Sequence, residues 1–275
     1  MRSFSNTYIF VFSAIMVALV ATLLSFVAMQ LKPIQQANIT TEKMQNILNS
    51  VKIENTKKNA EELFNEYVKE SFVINSSGVK IEGLEALDID LKKEVAKIDE
   101  VKNLEASIQE RRVSPFKEFL SGIINFKDID KTAVNKELQA VADQRLLPVY
   151  VVEKEGQKYY VFPMQGKGLW GPVWGFIALK GDMNTIYGAV FDHKSETPGL
   201  GAEITESWFE DAFTGKKLFE DGNFRSIEVV KGGTDESNPF GVDAISGGTI
   251  TSKGVEAMIY DCLVSYEKYF EIQRN

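Results

Sequence analysis

Residues 8–31 form an unbroken run of 24 residues without a charged side chain, dense in Phe, Ile, Val, Leu, Ala and Met. At 1.5 Å per residue such a run makes about 36 Å of helix, enough to cross a bilayer core with some tilt. A cleaved signal peptide would carry a shorter apolar region ending in an Ala-x-Ala-like site. The segment Val27-Ala28-Met29-Gln30 has no such site. The expectation is a retained transmembrane helix with the rest of the chain folded in water. Charge does not orient it, because Arg2 precedes the span while Lys32 and Lys43 follow it.

With 275 residues the chain can bury a substantial core. Beyond residue 33 it carries 29 basic and 39 acidic residues. So acidic a surface argues against nucleic acid or anionic lipid as a partner, since both call for Lys/Arg patches. The single Cys262 cannot form an internal disulfide or a thiolate metal cluster, and the single His193 cannot build a His-rich one. No metal site is expected, and Cys262, on the apolar face of the last helix, reads as core.

After Pro33 the polar residues 34–41 read as a tether, followed by a short amphipathic helix from Thr41 and a second over 55–68. Phe72-Val73-Ile74 reads as a strand entering a turn at Asn75-Ser76-Ser77-Gly78. Residues 81–136 are charged and poorly periodic, so they are expected to form a peripheral, loop-rich insertion. From Leu146 short strands dominate. One hairpin is expected from 149–153 and 159–162, another from 175–179 and 185–191. A short helix over 207–213 should close at Gly215, and a strand over 224–230 should follow. The sum is an α+β domain around a mostly antiparallel sheet with flanking helices.

The stretch with most chemical content is Asp243-Ala-Ile-Ser246-Gly247-Gly248-Thr249-Ile-Thr251-Ser252-Lys253-Gly254. An amphipathic helix follows, its apolar face marked by Val255, Met258, Ile259, Cys262, Leu263, Tyr266, Tyr269 and Phe270. Thr251 or Ser252 is the expected N-cap. Unpaired first-turn N–H groups and the helix dipole make an anion site, and Gly247 and Gly248 let the backbone approach a ligand. An ordinary turn before a capped helix fits the same residues.

Two more stretches add to it. Glu196-Thr197-Pro198-Gly199-Leu200-Gly201 combines a tight turn with bare backbone and an apolar side chain, which suits the edge of a flat ring. Gly166-Lys167-Gly168-Leu169-Trp170 sets a Trp among glycines, either against a ring or in the core. Lys231, at the end of a strand before Gly232-Gly233, could set a point charge against a phosphate or sit solvated on the surface.

Asp243-x-x-Ser246-Gly247-Gly248-Thr249 resembles the flavinylation motif of FMN-binding domains, and Glu196-Thr197-Pro198-Gly199-Leu200-Gly201 resembles the element that lines the flavin there. Gly248 departs from the family's usual alanine, which should leave the site open but the loop looser. The Gly-Lys-Gly-Leu-Trp string at 166–170, Lys32-Pro33-Ile34-Gln35-Gln36 and Val230-Lys231-Gly232-Gly233 are similar to the branch formed by the C subunits of sodium-translocating NADH:quinone reductases. The resemblance covers the anchor and residues 146–275, and the acidic middle carries little of it.

The resemblance implies FMN held covalently on Thr249 by a phosphoester bond, installed by a dedicated flavin transferase. Ser246, Gly247, Gly248, Thr251, Lys231, Glu196, Thr197, Gly199, Leu200, Gly201 and Trp170 would surround it, with no catalytic residue in the chain itself. It also implies residues 1–7 in the cytoplasm, a single span at 8–31, a tether and insertion at 32–145 and a periplasmic FMN-binding domain at 146–275, in a bacterial inner membrane. The implied role is an electron relay inside a six-subunit complex, between NADH-side subunits and a second flavin subunit on the way to quinone, without catalysis by this chain alone. The chain itself lacks a strand-linked Gly-x-Gly-x-x-Gly, an iron–sulfur cysteine set and an intramembrane carboxylate. Three other readings stand beside it: the G subunit of an Rnf-type ferredoxin:NAD reductase, a non-enzymatic anchored sensor domain, and a serine hydrolase on Ser246 and His193. The last lacks a Gly-x-Ser-x-Gly elbow.

Overall fold

The computed structural model describes residues 5–113, 144–235 and 237–274. The chain divides into two compact units, Met1–Lys43 and Met44–Asn275. In the first unit, helix α1 (Asn6–Ser50) contains the apolar run, and it is long and apolar enough to cross a membrane. The tether expected at 34–41 is helical instead, since α1 runs through Pro33. Proline removes one ladder bond at a cost of about 3 kcal/mol. Intact turns on both sides carry the helix past it, and Thr41 adds a side-chain bond to the Ala37 carbonyl at 2.9 Å.

The second unit is built on six antiparallel strands in the order β2-β1-β3-β4-β5-β6. These are β1 (Val68–Ile74), β2 (Lys80–Ile81), β3 (Leu147–Lys154), β4 (Gln157–Lys167), β5 (Pro172–Lys180) and β6 (Ile186–His193). Both expected hairpins form, as β3–β4 and β5–β6, with Tyr150 opposite Val161 and Phe176 opposite Val190. A two-residue turn at Glu155 and Gly156, both at positive φ, closes the first. The unit reaches back before Leu146, because β1 pairs with β3 and Ile47, Leu48 and Phe64 pack beneath the sheet.

Strand alternation divides the core between the two faces. Val149, Phe162, Met164 and Ile177 point to one, and Tyr150, Val152, Val161 and Phe176 to the other. The second face is covered by the end of α1 and by α2 (Ala60–Tyr67), whose Phe64 ring lies 6.3 Å from Tyr150. The first face receives α5 (Thr249–Leu263) and α6 (Glu267–Arg274), joined by a 3-10 turn at Val264–Tyr266. All eight residues of the expected apolar stripe are buried, Cys262 among them. Phe162 is central to this packing, with ring centroids 4.9 Å from Tyr266 and 5.1 Å from Phe270. Tyr266 donates to the Pro148 carbonyl at 2.9 Å.

Two local expectations are corrected, and a third, the helix from Ser207, holds with an earlier end. Within the supposed loop-rich insertion at 81–136 lie a 3-10 turn at Ala86–Asp88 and α3 (Leu91–Val113); its part from 114 to 136 falls outside the described residues. Over residues 91–100 the buried edge of α3 is narrow, Glu94 and Ile98, while Lys92, Lys93 and Glu100 stand in solvent. The strand expected at 224–230 breaks into β8 (Asn223–Phe224), which pairs with β7 (Phe219–Glu220), and β9 (Glu228–Val230). Between them Ser226 takes φ 67°, and the N–H groups of Arg225 and Ser226 both turn to the Leu218 carbonyl. The helix expected over 207–213 is α4 (Ser207–Asp211), with Gly215 beyond it at positive φ.

Phe162→Ala should lower unfolding free energy by about 3–5 kcal/mol, read by urea titration of the detergent-purified chain. A loss under 1 kcal/mol would contradict the packing described.

Candidate functional site

Strand β10 (Gly241–Asp243) runs parallel to β9 and delivers the chain into the turn before α5. Gly248 N–H closes that turn on the Ile245 carbonyl at 3.0 Å. The helix starts at Thr249, not at Thr251 or Ser252, and Gly248 is its N-cap. Ser252, buried in the first turn, donates to the Gly248 carbonyl at 2.9 Å and accepts the Ile245 N–H at 3.1 Å. Its hydroxyl therefore staples the turn from inside instead of capping the helix from outside. Thr249 is thus the first helical residue of a 15-residue helix. The N–H groups of Thr249, Ile250 and Thr251 have no intrahelical acceptor at such a terminus.

Beside this terminus is a cleft of about 270 Å³. Nine of the residues singled out in the sequence line it: Trp170, Glu196, Thr197, Leu200, Gly201, Gly247, Gly248, Thr249 and Thr251. Gly199 and Ser246 belong to the two turns that meet there, and both are exposed. Lys231 is exposed in the turn after β9 and is not among the lining residues. Its neighbour Val230 pairs with Asp243, just ahead of the Gly-Gly turn. Asp243 in turn accepts the Thr234 N–H at 2.6 Å.

Leu169 and Ile250 also line the cleft, and sequence reading missed them. Both are half-exposed apolar side chains, as are Leu200 and Trp170, the last 65 % exposed. The signal for Ile250 was its place off the apolar stripe of α5. Trp170 is no core filler. It stands at the tip of the β4–β5 hairpin, where Gly168 N–H bonds the Gly171 carbonyl at 2.8 Å.

One buried carboxylate joins these pieces. Glu196 Oε2 accepts the Thr251 hydroxyl at 2.6 Å, and Oε1 accepts the Trp170 N–H at 2.8 Å. The fit is tight: a Cβ on Gly201 would come 2.4 Å from Thr251 Oγ1 and 2.7 Å from Glu196 Oε2. Burial would raise the Glu196 pKa. The Thr251 hydroxyl and then the N–H groups of Trp170, Leu169 and Gly171 outweigh it and hold it below the ordinary glutamate value. Because the Thr251 proton goes to Glu196, that hydroxyl can meet a ligand as an acceptor only.

Gly248 is bare for reasons of space. Its φ of −105° suits any residue, but a Cβ would lie 2.9 Å from Ile245 Cγ2 and 3.0 Å from the Leu200 carbonyl oxygen. The two turns are therefore stacked closely, and glycine here permits that approach. His193 Nδ1 accepts the Glu196 N–H at 3.2 Å, so the chain's single histidine is engaged in holding this turn.

The fold and cleft define the class, an FMN-binding domain, and the family profile of that description matches residues 168–264. The C subunit of the Na+-translocating NADH-quinone reductase of Vibrio alginolyticus is 32% identical over 239 residues, covering 85% of this chain and 81% of the relative. The Neisseria meningitidis C subunit is 44% identical over 111 residues, covering 39% of this chain and 42% of the relative. The crystal structure of the Parabacteroides distasonis C subunit is 36% identical, with a TM-score of 0.65 over 87% of this chain and 96% of that one. The chain belongs to the family of C subunits of the Na+-translocating NADH-quinone reductases.

Thr251→Val should cost about 1–3 kcal/mol at neutral pH by leaving Glu196 short of a donor. Glu196 is depressed in the fold, so its contribution is complete above the unfolded value of about 4.3 and fades as pH falls through the folded value. The gap between wild type and variant should therefore close in acid. Unfolding curves at several pH values check this, and a pH-independent gap would contradict it.

Proposed function

We propose that this chain is the membrane-anchored electron carrier of a Na+-translocating NADH:quinone reductase, holding FMN through a phosphoester bond to Thr249. Family membership supports the complex, and the helix terminus supports the attachment point. The observation that carries the reading is the position of Thr249, at the first turn of α5 and in the same cleft as the 196–201 turn and the Trp170 loop.

The residues present fit the group. A phosphate at the terminus of α5 would meet the N–H groups of Ile250 and Thr251 and the positive end of the helix dipole. Gly247 and Gly248 keep side chains out of its way, and Lys231, one strand over, supplies a mobile positive charge. Leu169, Trp170, Leu200 and Ile250 offer apolar contact to a flat ring. The cleft, about 270 Å³, is below the range usual for ligand sites, about 300–1,000 Å³, so much of a molecule the size of FMN would stay outside it. That suits a carrier whose ring must approach neighbouring centres.

When bound, FMN supplies reversible one- and two-electron chemistry. The chain's own part is to hold the phosphate at the helix terminus and to set ring contacts with the 196–201 turn and the Trp170 loop. A covalent bond keeps the cofactor from being lost to the periplasm, where the reading places Met44–Asn275, with the N-terminus cytoplasmic and α1 in the inner membrane. A flavin transferase installs the FMN. The partners are the other subunits of the complex, among them a second flavin subunit, and the sodium path lies in those subunits.

The test is co-expression with a flavin transferase, denaturing electrophoresis and in-gel flavin fluorescence. Fluorescence is expected to survive denaturation in the wild type and to vanish in Thr249→Ala. A colourless wild-type band, or fluorescence that persists in the variant, would remove the proposed attachment.

A further inference from the structure

We propose that Glu196 sets a fixed, uncompensated negative charge in the wall of the flavin cleft and thereby lowers the midpoint potential of the flavin carried there. The proposal rests on the FMN reading above and deepens it by naming a residue that tunes the cofactor without bonding to its phosphate.

Three observations carry it. First, the carboxylate is 5% exposed yet lines the cleft together with Thr249 and Leu200. Second, its partners are dipoles: the Thr251 hydroxyl and the Trp170 N–H. Hydrogen bonds of this kind stabilise a carboxylate without cancelling its net charge. Third, no ion pair among the described residues includes Glu196. Two lysines on adjoining stretches pair with other carboxylates, Lys167 with Asp99 at 3.2 Å and Lys253 with Glu256 at 2.7 Å, and Lys194, two residues before Glu196, is exposed and makes no ion pair with it. His193 turns its Nδ1 to the Glu196 backbone N–H at 3.2 Å and not to the carboxylate.

A carboxylate placed for structure alone would not need this arrangement. The same loops could be tied by an amide, whose oxygen accepts an N–H and whose amino group can donate to a hydroxyl oxygen. The fold keeps an ionised group instead. Two-electron reduction with uptake of one proton leaves a flavin ring one unit more negative. A like charge across the cleft disfavours that state, so the oxidised form is retained to lower potential. With an effective dielectric of about 20, one unit charge about 12 Å from the ring changes the balance by about tenfold. For a two-electron couple, tenfold corresponds to about 30 mV.

Glu196→Gln is the direct test, because the amide can keep the bonds to Trp170 and Thr251 while removing the charge. The full chain, loaded with FMN by co-expressed transferase, is titrated spectroelectrochemically in detergent at neutral pH. The variant's midpoint should rise by about 30 mV, with in-gel fluorescence and circular dichroism equal to the wild type. An unchanged or lower midpoint in a folded, flavin-loaded variant overturns the proposal. Absence of covalent flavin from the wild type overturns the FMN reading instead.

Should Glu196→Gln fail to fold or load, Thr251→Val replaces it. Loss of the hydroxyl donor moves protonation of Glu196 to higher pH, so the upward step of midpoint with acidification should move to higher pH as well. A step at the same pH in both proteins overturns the proposal.

Discussion

The carboxylate of Glu196 accepts hydrogen bonds from two segments far apart in the chain, the β4–β5 hairpin at Trp170 and the first turn of α5 at Thr251. Its own segment, the 196–201 turn, is the third wall of the cleft. A buried charge without such partners would cost several kcal/mol or take up a proton. Here the partners satisfy it, and the three walls cannot separate without exposing the charge to fewer donors. The absence of a Cβ at Gly201 lets carboxylate, hydroxyl and backbone sit in one tight cluster.

The rest of the fold positions those walls. Antiparallel pairing of β4 with β5 projects the Trp170 tip, and β6 leads directly into the 196–201 turn. α5 is held against the sheet by its apolar stripe and by rings gathered around Phe162. The Ser252 hydroxyl then locks the Gly-Gly turn onto the helix start. Thr249 therefore stands at the start of a helix whose far side is packed in the core, and the fold fixes its position.

Much of this was legible in residue order. The charge-free run at 8–31, the two hairpins and the buried stripe from Val255 to Phe270 followed from periodicity and turn chemistry. Where reading by pattern failed, a tertiary cause is visible. Residues 34–41 look like a polar linker but belong to α1, because ladder bonds carry past one proline. The α3 helix hid because its first ten residues bury only Glu94 and Ile98, and the strand expected at 224–230 breaks where Arg225 and Ser226 bond the Leu218 carbonyl. Thr251 suggested itself as a cap because threonine caps helices, yet its hydroxyl is drawn to Glu196. Leu169 and Ile250 stand inside two of the motifs but have no chemistry of their own, and their place in the cleft lining marks them.

The linear sequence by itself determined the apolar span, the α+β class and the identity of the glycine-rich turns, because each depends on residues within a few positions of one another. Only the tertiary structure decided that Glu196 and Thr251, 55 positions apart, share a proton donor and acceptor. It also decided that Gly248 is bare to admit Leu200, and that Trp170 faces solvent beside Thr249 instead of filling the core. Burial, and hence whether a carboxylate keeps its charge, depends on what the whole fold places around a residue, and no local pattern encodes it.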